Sequence, residues 1–199
     1  MKILVVVAHP RSDSLTASMS KRFIEGLTEA GHEYEIADLY AEGFNPILHT
    51  RDEPDWNNPN KTYSNEVLCE MERISASDAL VFIFPIWWYS MPAIMKGYID
   101  RVWNYGFAYG PSKLPVQKIR WIALVGEDQS KFEKRNYHLM VQQHLNVGLS
   151  GYSGVGVSDS KVHFMYNTLE DFSDESQQGK KEIHYTTLLD EAYRIGCNF

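Results

Sequence analysis

Two groups of residues carry chemistry on their types and spacing. The first is His9, Ser12, Asp13, Ser14 and Thr16, a polar loop opening a helix whose apolar face is Leu15, Met19, Phe23 and Leu27. A helix N-terminus offers free backbone N–H groups and the positive end of its dipole, so hydroxyls there suit a phosphate or another anion. The plainer alternative is a capped helix with no ligand, since Ser and Asp are ordinary caps. The second group is Trp87, Trp88 and Tyr89, three large planar side chains in succession. They suit a flat aromatic ligand, or they cover the sheet or a second copy of the chain.

Both groups follow strands. Residues 3–8 form an unbroken, largely β-branched apolar run, as in a central parallel strand covered on both faces. Residues 79–85 (ALVFIFP) and 119–125 form two more such strands. Residues 30–39 give a turn and a half-alternating strand, and 154–157 with 162–166 offer one or two closing strands. Helical spacing predicts helices from Leu15, over 62–74, through Ile94, Tyr98 and Val102, over 131–147, and over 180–195. In the last, Ile183, Leu188, Leu189 and Ala192 make the inner face. Residues 40–61, with three prolines, form a long excursion of the kind that is functional or embraces a partner. Residues 170–179 read as an exposed acidic loop. Strands alternating with helices predict an α/β fold with a parallel sheet. With no linker or repeat, residues 1–199 are expected to form one domain.

In such a sheet a ligand sits outside the carboxyl ends of the strands. Those ends carry His9–Thr16, then Pro85–Pro92, then Gly126-Glu127-Asp128. None holds GxGxxG or GxxxxGK[ST], which excludes a dinucleotide fingerprint and a P-loop. A receiver-type phosphoacceptor lacks its acidic residues, and neither Cys69 nor Cys197 stands in the first loop as a phosphatase nucleophile.

The net charge of −7 without any Lys/Arg-rich run excludes a general nucleic-acid binder. Two cysteines without CxxC or ligand spacing point to a reducing, cytoplasmic setting, and His32, His49, His144, His163 and His184 are too scattered for a metal site. No apolar run reaches the roughly 20 residues of a membrane span, and residues 1–8 read as a strand, not a signal peptide.

AHPRSDSLTASM, ADLYAEGFNPIL, FPIWWYSMPAIMKGYIDRVW and FAYG occur in order over residues 1–138. The chain thereby resembles the flavodoxin-2 family of DT-diaphorase-type NAD(P)H:quinone oxidoreductases, which includes ancillary subunits of bacterial potassium-efflux systems. The resemblance implies a flavodoxin-like three-layer doubly wound sandwich, a five-stranded parallel sheet ordered 2-1-3-4-5, and a non-covalent flavin at a homodimer interface. It places His9, Ser14, Leu15 and Thr16 at the flavin phosphate and ribityl chain. Ile86, Trp87, Trp88 and Tyr89 lie along the isoalloxazine edge, their N–H groups toward its polar rim. By the same resemblance Tyr109 matches an aromatic residue that walls the substrate pocket, and His138 matches a histidine that stabilises charge as hydride arrives.

Two positions depart from the family. Its fourth strand ends in Thr-Gly-Gly, where this chain has Gly126, Glu127 and Asp128; the two carboxylates either disfavour an anionic flavin or turn outward and leave backbone contacts only. The tyrosine that helps the histidine is Phe132 here, so His138 works alone, or Tyr137 or a water replaces the lost hydroxyl. The expected activity is ping-pong, two-electron hydride transfer from NAD(P)H to a quinone-like acceptor, with FMN as cofactor and FAD the alternative. The rival readings are a flavin-binding regulatory subunit associated with a membrane potassium-efflux system, and a one-electron flavodoxin-type carrier.

Overall fold

The computed structural model describes residues 1–58, 60–169 and 178–199. Its centre is a parallel sheet of five strands, β1 Lys2–Val7, β2 Glu33–Asp38, β3 Ala79–Pro85, β4 Lys118–Leu124 and β5 Ser160–Met165, in the order β2-β1-β3-β4-β5. The expected 2-1-3-4-5 order holds. Register is continuous across the centre, with Val5 opposite Ile36 on one side and Val81 on the other.

Among the described residues six α-helices accompany it: α1 Leu15–Glu29, α2 Asn65–Ser75, α3 Ala93–Val102, α4 Gln129–Lys134, α5 Tyr137–Gln142 and α6 Gln178–Cys197. Successive strand residues point to opposite faces, so each central strand feeds two cores. Ile3, Val5 and Val7 pack with Met19, Phe23 and Leu27 of α1 and Ala192 and Ile195 of α6. Leu4 and Val6 pack with Val67, Met71 and Ile74 of α2 and Ile94, Met95 and Tyr98 of α3. α1 and α6 cross at Gly26 and Gly196, where a Cβ on either would strike the other helix's backbone.

The excursion after β2 is irregular apart from a 3-10 turn at Thr50–Asp52. A buried ion pair ties it down: Arg101 Nη2 donates to Asp52 Oδ2 at 2.9 Å, and the same carboxylate accepts from Ser64 N at 2.7 Å and Ser64 Oγ at 2.8 Å. Asn104 Nδ2 adds a bond to the Asp52 carbonyl at 2.6 Å.

Two expectations are corrected, and one left open, the number of closing strands, is decided. Residues 131–147 are not one helix: Asn136, at φ 58°, breaks α4 from α5, and a π-helix at Gln143–Gly151 continues from α5. Asn tolerates the left-handed conformation, and helical spacing alone does not reveal it. Residues 154–157 form no strand, so β5 alone closes the sheet. Ile183 is 70% exposed, so the inner face of α6 runs through Leu188, Leu189, Ala192 and Ile195. Residues 170–177 of the expected acidic loop lie outside the described residues. Among the described residues no helix is long and apolar enough to cross a membrane.

Candidate active site

The loop after β1 is built by its own hydrogen bonds. His9 Nδ1 faces the Arg11 backbone, 3.1 Å from its N–H and 3.3 Å from its carbonyl, which fixes the ring's orientation. Burial lowers the pKa of His9, so the ring is neutral at pH 7. Ser14, 2% exposed, caps α1 by accepting from Ala17 N at 3.1 Å. Its hydroxyl proton stays available for a second partner. Thr16 is equally buried. Among the described residues no hydrogen bond uses the N–H groups of Leu15 and Thr16, two of the four unsatisfied donors of a helix start.

The loop after β3 is a tight two-residue turn. Trp87 N donates to Ser90 O at 2.9 Å and Ser90 N to Trp87 O at 3.1 Å, with Trp88 at φ 50° and Tyr89 at φ 60° between them. Two consecutive positive φ values are the signature of a type I′ turn, which normally takes Asn or Gly. Two aromatic residues held there store strain, a condition that clusters at ligand sites. The turn leaves Trp88 95% exposed and tilts the Tyr89 ring onto Tyr137, centroids 4.1 Å apart. Two of the four expected amides are already committed: Ile86 N donates to Leu124 O at 2.8 Å, and Trp87 N to Ser90 O. Only Trp88 and Tyr89 keep N–H groups for a ligand.

The loop after β4 answers the question of the two carboxylates. Asp128 caps α4, accepting from Ser130 N at 2.9 Å. Glu127 accepts from Asp128 N at 3.0 Å and from Lys131 Nζ at 3.2 Å. Those bonds hold the Glu127 carboxyl below its ordinary pKa, and the Ser130 hydroxyl and N–H do the same for Asp128. Both are engaged within their own loop. Gly126 packs under Leu169 so closely that a Cβ would overlap that side chain. Thr168 N donates to Val125 O at 3.0 Å and Asn167 N to Glu127 O at 3.1 Å, joining the segment after β5 to this wall.

These ends enclose one cleft with two lobes. A lobe of about 690 Å³ is lined by His9, Ser14, Leu15, Thr16, Ile86 and Trp87, with Thr168, Leu169, Tyr185 and Leu189 opposite. The second, about 710 Å³, is lined by Trp88, Tyr89, Glu127, Phe132 and Tyr137, with Lys131, Lys134 and Arg135 on its rim. Ile86, Gly126 and Leu169 line both lobes. An anion-ready pocket therefore opens into an aromatic one.

The family model for the flavodoxin-like fold matches residues 1–187. The chain belongs to the flavodoxin-2 family. A relative named uncharacterized NAD(P)H oxidoreductase YcaK, from Escherichia coli K12, is 43% identical over 169 residues, 84% of this chain and 85% of its own length. NAD(P)H dehydrogenase (quinone) 1 of Rattus norvegicus is 33% identical over 124 residues, 54% of this chain but only 45% of that protein. The solved NAD(P)H:quinone oxidoreductase from Methanothermobacter marburgensis superposes with a TM-score of 0.83 at 29% identity, covering 100% of this chain and 96% of its own.

Of the residues singled out from the flavodoxin-2 resemblance, His9, Ser14, Leu15, Thr16, Ile86, Trp87, Trp88, Tyr89, Gly126, Glu127 and Tyr137 all line the cleft. His138 and Tyr109 line neither lobe. Neighbouring helix residues point about 100° apart, so Tyr137 at the start of α5 faces the cleft and His138 does not. His138 is half-buried, its Nδ1 enclosed without a hydrogen-bond partner among the described residues. Tyr109 joins a separate aromatic patch with Tyr105 and Tyr152, each ring 5.7 Å away. Sequence reasoning missed Thr168, Leu169, Tyr185 and Leu189. Thr168 and Leu169 follow the carboxyl end of β5, so the rule that flagged the other strand ends would have found them.

Proposed function

We propose that this protein is a flavin-dependent NAD(P)H:quinone oxidoreductase, transferring two electrons by hydride, first from NAD(P)H and then to a quinone-like acceptor, in ping-pong order at one site. The observation that carries the reading is the two-lobed cleft, in which helix-end donors at α1 open into a pocket walled by Trp88, Tyr89 and Tyr137. The activities for which the relatives are named support the same class.

The donors present fit a flavin. Unused N–H groups of Leu15 and Thr16, and the buried hydroxyls of Ser14 and Thr16, would hold its phosphate. His9, held at this loop through Nδ1, would turn Nε2 toward the same group. The N–H groups of Trp88 and Tyr89 would meet the polar edge of the ring, and Gly126 would lie against it with no side chain between. Bound there, the flavin supplies the hydride-accepting, two-electron chemistry. FMN is our assignment, FAD the alternative.

The chain's own contribution is to orient, to stack and to move a proton. Tyr137 carries a hydroxyl at the cleft in place of the one missing at Phe132. The Arg135 guanidinium beside that hydroxyl holds it below the ordinary phenol pKa, with Tyr89 adding to the effect. A more acidic Tyr137 Oη is a better proton donor to an acceptor gaining electrons.

Tyr109 belongs to a second feature. With Trp56 63% exposed and Tyr152 62% exposed, its patch is a large apolar surface outside the cleft. We assign it to a two-fold homodimer in which this patch completes the partner's aromatic lobe. Light scattering of the flavin-loaded protein checks it: dimer mass is expected, and an active monomer contradicts it.

Flavin uptake with steady-state NAD(P)H oxidation over a quinone panel tests the function. Parallel double-reciprocal lines and turnover are expected. A protein that binds flavin but oxidises no NAD(P)H with any quinone would leave the regulatory and one-electron-carrier readings.

A further inference from the structure

The aromatic lobe carries a charge pattern that the proposed chemistry does not use. Lys131, Lys134 and Arg135 all line it, against one lining carboxylate, Glu127. Their spacing of three and four residues puts them on one side of α4 and its C-terminal end. Glu127 is matched to Lys131 at 3.2 Å. Among the described residues neither Lys134 nor Arg135 forms an ion pair with a carboxylate. The rim is thus locally cationic on a chain whose net charge is −7, so the protein's overall field does not explain it.

We infer that this rim is an anion subsite that selects ligands stacking in the aromatic lobe by a phosphate, sulfonate or carboxylate group. The inference rests on reading the lobe as the place where the reducing nucleotide and the acceptor alternate. Two sources carry the required chemistry: the 2′-phosphate that distinguishes NADPH from NADH, and an acidic substituent on the acceptor. Lys134 is the specific element, because Lys131 is shared with Glu127 and Arg135 with the Tyr137 hydroxyl. A cation on an open rim acts at short range and is screened by salt, so its effect falls mainly on binding of a charged ligand.

The test uses the flavin-loaded protein and its Lys134→Gln, Lys131→Gln/Lys134→Gln and Lys134→Arg variants. KM and kcat are measured for NADPH against NADH, and for 1,2-naphthoquinone-4-sulfonate against neutral menadione, at low and high salt. The expected result is a KM for NADPH, for the sulfonate, or for both, raised about 3- to 10-fold in the Gln variants. The shifts in KM for NADH and menadione and in kcat should be smaller than these, high salt should erase the difference between charged and neutral ligands, and Lys134→Arg should restore it. A rise confined to NADPH assigns the subsite to the nucleotide; a rise confined to the sulfonate assigns it to the acceptor. Equal shifts for charged and neutral ligands would mean that the rim acts on the flavin itself, and would overturn the inference, as would no shift at all. Binding of adenosine 2′,5′-bisphosphate against adenosine, followed by tryptophan fluorescence, and of 2-naphthalenesulfonate against 2-naphthol, followed by calorimetry, reads the subsite without turnover. If wild type turns over no quinone yet prefers the anionic probes and loses that preference in Lys134→Gln, the redox reading fails and the subsite stands.

Discussion

The Tyr89 and Tyr137 rings sit with centroids 4.1 Å apart and planes tilted by 36°. One comes from the strained turn after β3 and the other from the first residue of α5, so this contact joins two walls of the cleft. Because the two hydroxyls interact, Tyr89 is pushed up while Tyr137, beside Arg135, is pulled down. Their titration belongs to the pair, and the first proton leaves below the ordinary phenol value of about 10.

A pH dependence follows from that pair. A proton donor with a lowered pKa is lost earlier as pH rises, so the alkaline limb of kcat should begin below about pH 10. Arg135→Gln should move the limb upward, and Tyr137→Phe should remove it while lowering the rate. Tyr137→Phe should slow quinone reduction more than His138→Ala does, because only Tyr137 reaches the cleft. Rates for both variants across the pH range check this; identical profiles for wild type and Tyr137→Phe would contradict it.

At the other lobe, Ser14→Ala with Thr16→Ala should weaken flavin binding by about 1–3 kcal/mol, the range for hydrogen bonds to a charged group. Ser14→Ala alone should also lower the stability of the flavin-free protein by about 1 kcal/mol, because it removes the α1 cap. Thr16→Ala should not carry that second cost. Flavin titration and urea denaturation separate the two roles of Ser14.

How much of this was readable beforehand depends on what each residue's neighbours demand. β1 and β3 declare themselves because a strand covered on both faces needs an unbroken apolar run. Their carboxyl ends then locate the anion lobe and the aromatic turn without further information. The break at Asn136 was hidden, since one left-handed residue leaves the apolar spacing of 131–147 intact. That break decides which of Tyr137 and His138 faces the cleft. The positive φ values at Trp88 and Tyr89 were equally hidden, since turn chemistry favours Gly or Asn there. Leu169 and Tyr185 come from after β5, within the stretch the family model matches, and neither residue type by itself marks a site.

The buried Arg101 should anchor the excursion. Arg101→Leu leaves the 1%-exposed Asp52 carboxylate without its charge partner and should cost about 3–5 kcal/mol in urea denaturation. Burial pushes the Asp52 carboxyl up, but its bonds from Ser64 and Arg101 outweigh burial and leave it below its ordinary value. A carboxyl lowered on folding stabilises above its unfolded pKa of about 3.9, and that contribution fades as pH falls through the lower, folded value. Asp52→Asn should remove this acid dependence.

His163 gives the opposite partner set and a different window. Burial, with Lys161 and Arg120 nearby, lowers it to about 4. The unfolded chain then binds more protons between about pH 6.5 and that value, so stability falls as pH drops through this range. His163→Gln should flatten the difference between urea midpoints at pH 7 and pH 5. An unchanged difference would mean that His163 is not held neutral.

The central claim is that one cleft takes electrons from a nicotinamide and gives them to a quinone in separate steps. Anaerobic stopped-flow mixing of the flavin-loaded protein with NAD(P)H alone, then with menadione, tests it directly. The account predicts full bleaching of the flavin absorbance before any quinone is present, and full return on adding it, both fast enough to support steady-state turnover. A protein that takes up no flavin, or whose flavin is not bleached by NADH or NADPH, contradicts it.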